Sequence, residues 1–298
     1  MEFRELFSYD KNWYKGNMHM HTTVSDGHKE PDEALDYYRR ENYDFVAITD
    51  HWKANDLFVH DGMLVLPGIE LDCGNMITSK IFHIVGVGMD KKIDLPRDNT
   101  HKPQELIDII RDAGGIAILA HPYWSMTEPS DVYPLEGFSG VEIYNTISDT
   151  PFRNGPRADS ALYFDIWAGK GFFYRAMAAD DSHYYEGEQT SSFTMVNAKD
   201  CSRDSLLEAI KAGDFYASRG PRFLRVSYND EQIRVECEGA EKVLFLSNSI
   251  WDRQRVSDAT LGSAVYDIKE ADRFMRIELV DKDGRKAWTS PFALPVSN

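Results

Sequence analysis

The chain carries nine histidines, and their placement is not that of scattered surface groups. His19 and His21 stand in Gly16-Asn17-Met18-His19-Met20-His21, one residue apart. A strand over 14–20 sends both rings the same way from its C-terminal end, because side chains at i and i+2 share a face. Asp26 follows in a polar loop. His51 comes just after Phe45-Val46-Ala47-Ile48-Thr49-Asp50, and Glu70 closes the apolar run that begins at Met63. His83 lies inside Ile81-Phe82-His83-Ile84-Val85, His121 follows Ile116-Ala117-Ile118-Leu119-Ala120, and Asp181 and His183 follow a run at 172–178. His28, His60 and His101 fall in loops. Imidazoles and carboxylates gathered in one mouth repel each other and lose hydration unless cations balance them. A donor set of nitrogen and oxygen without thiolate suits zinc, manganese or iron. One His-x-His pattern is weak, and any single histidine serves equally well as a satisfied core group. The conjunction of separate strand ends, each carrying an acid or a histidine, is what points to a metal site.

Other residues are candidates around that site. Asp50 and Asp180 adjoin the ligand positions and could orient imidazoles through hydrogen bonds, or simply cap turns. Lys53, Arg153, Arg157, Arg175 and Arg219 could meet a phosphate, for which an arginine fork is well shaped. Arg219 is the first choice, because it stands in the Ser218-Arg219-Gly220-Pro221 turn. Tyr123, Trp124 and Tyr144 could stack on an aromatic ring or pack in the core. Ser25 and Ser182 lack the Gly-x-Ser-x-Gly context of a nucleophile, so serine catalysis is not indicated.

The elements that must position these groups are legible in outline. Pro31 to Arg40 reads as a helix, with proline in a first-turn position and acids beside it. Further helices are expected at 103–113, 160–170 and 202–212. Short apolar runs at 45–49, 63–69, 81–88, 116–120, 141–144 and 172–178 read as buried strands. Strands alternating with helices suggest a parallel barrel of TIM type, whose active sites gather where strands end. After Pro221 the pattern changes to short, partly alternating runs separated by turns, such as Ile233-Arg234-Val235-Glu236 and Met275-Arg276-Ile277-Glu278-Leu279. This predicts a small antiparallel, sandwich-like β domain over 222–298, after a barrel over 1–221.

Composition sets outer limits. The 298 residues carry a formal net charge of −16, which repels nucleic-acid backbones and anionic lipid. Non-specific nucleic-acid binding is therefore disfavoured, while a nuclease acting on short pieces stays open. Cys73, Cys201 and Cys237 are scattered and form no CxxC, so neither a disulfide framework nor a thiolate site is indicated. No apolar run has the length of a membrane span, and the first residues show no secretory pattern. The expected setting is cytoplasmic, and oligomeric state is open.

His19-x-His21 with Asp26, Thr49-Asp50-His51, Gly68-Ile69-Glu70, His83, Ala120-His121-Pro122 and Asp181-Ser182-His183 resemble the motif set of the polymerase and histidinol phosphatase (PHP) family. The resemblance covers roughly residues 13–221. The tail from Gly213 to Pro221, followed by a β domain, is similar to the carbaryl-hydrolase-like branch of that family. The resemblance implies a distorted seven-stranded α/β barrel with two or three divalent ions. By it, His19, His21, Glu70 and Asp181 hold the first ion. Glu70 bridges to a second ion held by His83 and His121, and Asp26, His51 and His183 hold a third. Many members have histidine at the Asp26 position, and aspartate there is common in the nucleotide-phosphatase-like branch. The implied activity is attack of metal-bound hydroxide on a small phosphate ester, such as a nucleotide or sugar phosphate. His19, His21, Glu70, His121 and Asp181 are then the catalytic set, and Arg219, Lys53, Arg175 and Tyr144 the substrate contacts. Two other readings stay open: carbamate, amide or ester cleavage at the same centre, and a non-catalytic module stapled by metal.

Overall fold

The computed structural model describes residues 2–75, 80–97, 100–149 and 155–295; Arg153 lies outside them. The strands are β1 (Arg4–Glu5), β2 (Asn12–Asn17), β3 (Phe45–Ala47), β4 (Phe58–His60), β5 (Met63–Leu66), β6 (Gly68–Asn75), β7 (Lys80–Val87), β8 (Ile116–Leu119), β9 (Gly140–Asn145), β10 (Ala176–Ala179), β11 (Phe193–Ala198) and β12 (Phe215–Ser218). They are followed by β13 (Arg222–Tyr228), β14 (Gln232–Glu238), β15 (Lys242–Leu246), β16 (Val256–Asp258), β17 (Ser263–Asp267), β18 (Phe274–Val280), β19 (Lys286–Trp288) and β20 (Phe292–Ala293). The α-helices are α1 (Pro31–Arg40), α2 (Pro103–Asp112), α3 (Ala161–Gly169) and α4 (Arg203–Ala212).

Local chemistry explains the helix limits. α1 has Asp32 and Glu33 in its first turn and Arg39 and Arg40 in its last, matching the helix dipole. It buries Ala34, Leu35 and Tyr38. α2 opens with the Glu105 carboxylate accepting from the Lys102 backbone N–H at 3.0 Å. α4 opens with the Ser202 hydroxyl accepting from Ser205 N at 3.3 Å and stops at Gly213, whose φ of 85° is a backbone state that favours glycine.

Among the described residues the strands form three sheets. A five-stranded sheet has the order β10-β9-β8-β7-β6. An eleven-stranded sheet runs β16-β15-β18-β19-β12-β11-β2-β3-β5-β4, with β20 beside β18. A four-stranded sheet has the order β1-β13-β14-β17. The closed, all-parallel barrel expected from the alternating pattern is not what these ladders form. β7 is antiparallel to both β6 and β8. Only four residues separate β6 from β7, far too few for the crossover that parallel neighbours need. The two larger sheets instead touch at single parallel bridges, Met20 with Ser182 and His51 with Glu70. The architecture is therefore mixed α/β, with few helices and many strands.

The C-terminal strands are antiparallel, and the four-stranded sheet shares one core with part of the eleven-stranded one. Phe223, Val226, Ile233 and Val235 pack in a cluster with Val243, Phe245, Ile277 and Leu279. This unit is not detached. β12 pairs with β19 through Ala217–Trp288 and Ser218–Ala287, so one ladder crosses the expected boundary at 221. β1 pairs with β13, which brings residues 4 and 5 into the C-terminal sheet.

A buried ionic network ties α3 to β18. Arg276 is 1 % exposed and grips Asp165 through Nε and Nη2 at 2.8 and 2.9 Å. Its Nη1 donates to Glu278 at 2.6 Å, and Glu278 also meets Lys286 at 3.1 Å. Removing one member of such a buried group leaves charge uncompensated, at a cost of about 3–5 kcal/mol. Arg276→Leu should therefore lower the unfolding free energy by about that much in urea titration. A loss under about 1 kcal/mol would show that the network contributes no more than a surface ion pair.

Candidate metal centre

Strand β2 ends at Asn17, before His19 and His21, so strand alternation alone does not aim these rings. The chain beyond it is stitched by hydrogen bonds instead. Asn17 donates through Nδ2 to His19 O and accepts from Asp180 N through Oδ1, both at 2.9 Å. Asp181 N donates to His19 O, and His21 N to Ser182 O, each at 2.9 Å. Met20 N donates to Thr49 Oγ1 at 3.0 Å. These bonds lock the ends of β2, β3 and β10 side by side, and His19, His21 and Asp181 turn into one buried space.

Three groups of donors result. His19, His21, Glu70 and Asp181 have ligand atoms within 4.8 Å of one another, and all four residues are buried. His19 Nε2 lies 3.3 Å from Glu70 Oε2 and 3.1 Å from Asp181 Oδ1; His21 Nε2 lies 3.1 Å from each. The second group is Glu70, His83 and His121. There Glu70 Oε1 is 2.7 Å from His83 Nδ1 and 3.6 Å from His121 Nε2. The third group is His21, Asp26, His51 and His183. Asp26 stands 3.6 Å from His51 Nε2 and from His183 Nε2. All nine residues expected as ligands thus meet in adjoining clusters, with Glu70 and His21 each shared between two.

The polar atoms at the centre fit a divalent cation. His19 Nε2, His21 Nε2, His51 Nδ1 and Asp181 Oδ1 are buried and have no hydrogen-bond partner among the described residues. Buried polar atoms are normally paired, and four such atoms converging around two carboxylates form a donor set for a cation. The opposite ring nitrogens are tied. His19 Nδ1 is 2.8 Å from Glu142 Oε1, His121 Nδ1 is 3.1 Å from Ser125 Oγ, and His183 Nδ1 is 2.8 Å from Asp181 O. A proton held on each Nδ1 leaves the Nε2 lone pair facing the cluster.

Glu142 was not legible as a site residue. It sits inside the apolar strand Val141-Glu142-Ile143 and is 2 % exposed. Besides His19, it accepts from His121 N at 2.9 Å and from Asn145 Nδ2 at 2.8 Å. Asn145 also donates to Asp181 at 3.2 Å. A charged residue in a strand buried on both faces was the available signal.

Asp50 and Asp180 do not hydrogen-bond any imidazole. Asp50 accepts from Thr22 N at 2.8 Å, Thr22 Oγ1 at 2.7 Å and Ser25 Oγ at 2.7 Å, which shapes the loop carrying Asp26. Asp180 accepts from Thr190, Ser191 and Ser192 N and from Thr146 Oγ1 at 2.7–3.0 Å. Both are turn-organising acids, and the imidazole-orienting acid is Glu142.

The expected substrate contacts divide. Lys53 lines a cavity of about 700 Å³ that shares Asp26 and His51 with the metal cleft of about 640 Å³. Arg97, absent from the sequence-based set, lines both, with Nη2 2.9 Å from Asp72 Oδ1. Asp72 also accepts from Trp52 Nε1 at 2.7 Å. Arg175 instead donates to the carbonyls of Ile210 and Lys211 at the end of α4. Arg219 and Tyr144 line a third cavity that shares no residue with the cleft. Trp124 borders the metal cleft, its ring edge-to-face with His83 and His121. Two ligand residues also hold left-handed backbone, His121 with φ 26° and Asp181 with φ 54°.

The electrostatics separate the groups. For His21, burial opposes charge, but the close approach of Asp181 and Glu70 prevails and raises the ring to about 9. Burial likewise opposes charge on His19, yet Asp181, Glu70 and Glu142 hold it well above its ordinary value. His51 is pushed down by burial to about 4, and His183 is lowered by burial and by the His21 charge. Burial works to raise Glu70 and Asp181, but the surrounding imidazoles hold both well below the usual carboxylate range. Burial pushes Asp180 up to about 7.

No protein-family model matches the chain. An uncharacterized protein of Methanocaldococcus jannaschii is 27 % identical over 144 residues, 44 % of this chain and 81 % of that one. Among solved structures, a two-domain protein from Bacteroides vulgatus, described as containing a predicted PHP-like metal-dependent phosphoesterase, aligns with TM-score 0.55 and 16 % identity. That alignment covers 98 % of each chain. A lesion-specific endonuclease of Pyrococcus furiosus aligns with TM-score 0.47 and 13 % identity over 67 % of this chain and 56 % of that one. At such identities, the full-length alignment with the B. vulgatus protein speaks for the fold.

Two expectations follow. Glu142→Gln keeps the shape but weakens the hold on His19, and divalent-ion affinity should fall about 10–100-fold by competition with a chelating dye. Unchanged affinity would remove Glu142 from the site. Against burial, Asp181 and Glu70 raise His21 to about 9, which favours its imidazolium form at neutral pH, and a ligating imidazole must be neutral. Ion uptake at pH 7 should therefore release protons, countable by calorimetry in buffers of different ionisation heat. Release should fade as pH rises past about 9 and the His21 ring becomes neutral beforehand. No release at pH 7 would contradict the assigned charge states.

Proposed function

We propose that the protein is a metal-dependent phosphoesterase acting on a small phosphate ester such as a nucleotide or sugar phosphate. One observation carries the reading: buried, partnerless nitrogen and oxygen atoms of His19, His21 and Asp181 converge beside Glu70 at the base of an open cleft. His19, His21, Glu70 and Asp181 would hold one divalent ion, Glu70, His83 and His121 a second, and Asp26, His51 and His183 a third. Bound there, zinc, manganese or iron would lower the pKa of water and offset charge on both the entering and the leaving oxygen.

The chain's own groups do the rest. Glu142 and Ser125 hold ring protons on Nδ1 of His19 and His121, so that both rings present Nε2 inward. Asp26 is 56 % exposed at its side chain, which opens the cleft on that side. Arg97, steadied by Asp72, and Lys53 put cationic groups on the walls around it. These basic groups favour a phosphoester over the carbamate, amide or ester reading, which calls for an apolar pocket. On this reading the chemistry belongs to residues 1–221, and 222–298 form the β domain packed beside them.

The test is a panel of phosphomonoesters and small diesters with protein loaded with each of the three metals. Turnover is expected with at least one ion. His121→Ala should lower kcat/KM by about a hundredfold or more, beyond the usual loss from an outer-sphere change. No turnover with any ion, or His121→Ala equal to the unaltered protein, would reject the proposal.

A further inference from the structure

Arg219, the first choice among the basic residues singled out by the sequence, lies outside the lining of the metal cleft. It lines a cavity of about 260 Å³ at the seam where β12 meets β19, together with Tyr144, Asp149, Asp159, Lys286 and Trp288. Its guanidinium lies over the Tyr144 ring, 4.3 Å from the centroid. Tyr144 also stacks with Trp288, with ring centroids 5.5 Å apart and an interplanar angle of 23°. Stacking fixes the guanidinium plane but occupies none of its N–H donors in the plane.

The hydrogen-bond account of this cavity is unbalanced in one direction. Asp159 is satisfied by Lys286 Nζ at 3.2 Å and by Ala161 N at 2.9 Å. Asp149 accepts from the Tyr144 hydroxyl. Lys286 is further compensated by Glu278 at 3.1 Å. The groups left over are donors. Arg219 Nε and Trp288 Nε1 are both buried, and neither has a partner among the described residues. Trp288 is fully buried, so its indole N–H has no bulk water to turn to. Orphaned buried donors are uncommon enough to require an account, and both of these call for an acceptor.

We propose that this seam cavity is a binding site for a small oxyanion, received by the Arg219 guanidinium and the Trp288 indole N–H. Its volume lies below the roughly 300–1,000 Å³ of ordinary ligand pockets, which limits the occupant to the size of phosphate or a short carboxylate. Both present oxygen acceptors to a planar donor fork. The cavity belongs to both parts of the chain: Tyr144 comes from β9, Arg219 follows β12, and Trp288 closes β19. Tyr144 also lies in the strand that carries Glu142 and Asn145, both of which reach the metal centre. The proposal is independent of any hydrolytic activity.

The chain has six tryptophans, so indole N–H resonances of the ¹⁵N-labelled full-length protein give a readout local to this site. Trp288→Phe identifies the Trp288 signal by its loss. Inorganic phosphate and acetate are then titrated separately, and a saturable shift of that signal is expected with a dissociation constant on the order of 1–10 mM. A shift with both probes assigns a general oxyanion site; a shift with one assigns that anion. Phosphate held at the metal centre would move Trp124 or Trp52 instead, because those rings border the clefts there. Arg219→Gln should weaken the Trp288 response about tenfold, the remaining indole signals reporting that the chain is folded. Arg219→Lys, which keeps the charge but loses the fork, should give an intermediate weakening and stands in if the glutamine variant does not fold. No shift with either probe to about 50 mM, or a shift unchanged in the Arg219 variants, would overturn the site and leave water as the occupant.

Discussion

A carboxylate with almost no access to water governs this molecule. Glu70 is 1 % exposed, and five imidazoles approach it within 3.6 Å: His19, His21, His51, His83 and His121. An isolated buried carboxylate would be costly enough to take up a proton. Here the rings hold it ionised, and Asp181 shares the load at the same Nε2 atoms of His19 and His21. Positive and negative groups are thus interlocked, and none can be deleted without unbalancing the others. A proton and a cation compete for the same imidazole lone pairs in such a set.

The fold serves that arrangement by bringing strand ends together rather than by closing a ring of ladders. Met20 with Ser182 and His51 with Glu70 are single bridges, each placed at or beside a ligand. A single bridge constrains direction less than a full ladder does, and side chains supply the missing constraint. Asn17, Thr49, Asp50 and Asp180 spend their hydrogen bonds on backbone and hydroxyl groups near the ligands. The polar residues around the centre divide between two tasks: some hold the ligand rings, and others hold the chain that carries the rings.

Most of the cluster residues were readable because they sit where an apolar run stops, a position that physical periodicity exposes directly, with His83 inside its run and Asp26 in a loop as the exceptions. His19 and His21 came out together for a different reason than the sequence suggested. Their strand ends early, and the cross-links of Asn17 and Ser182 do what alternation was expected to do. Glu142 was hidden by being one acid in an apolar strand, with its partners distant in the chain. Arg97 was hidden in a loop, where neither spacing nor period marks a side chain that reaches Asp72. The parallel barrel was misread because alternation of strands and helices says nothing about direction, and the short link between β6 and β7 reverses it. Arg219 was marked by its turn, yet nothing local could show that it lines a separate cavity at the β12–β19 seam.

The left-handed backbone at His121 and Asp181 has a wider meaning. Aspartate and histidine enter that conformation more readily than most side chains, but a residue other than glycine held there still carries a cost of order 1–3 kcal/mol. Replacement of either by glycine would relax the chain while removing a ligand. At these two positions backbone ease and the supply of donor atoms to the cluster therefore pull in opposite directions.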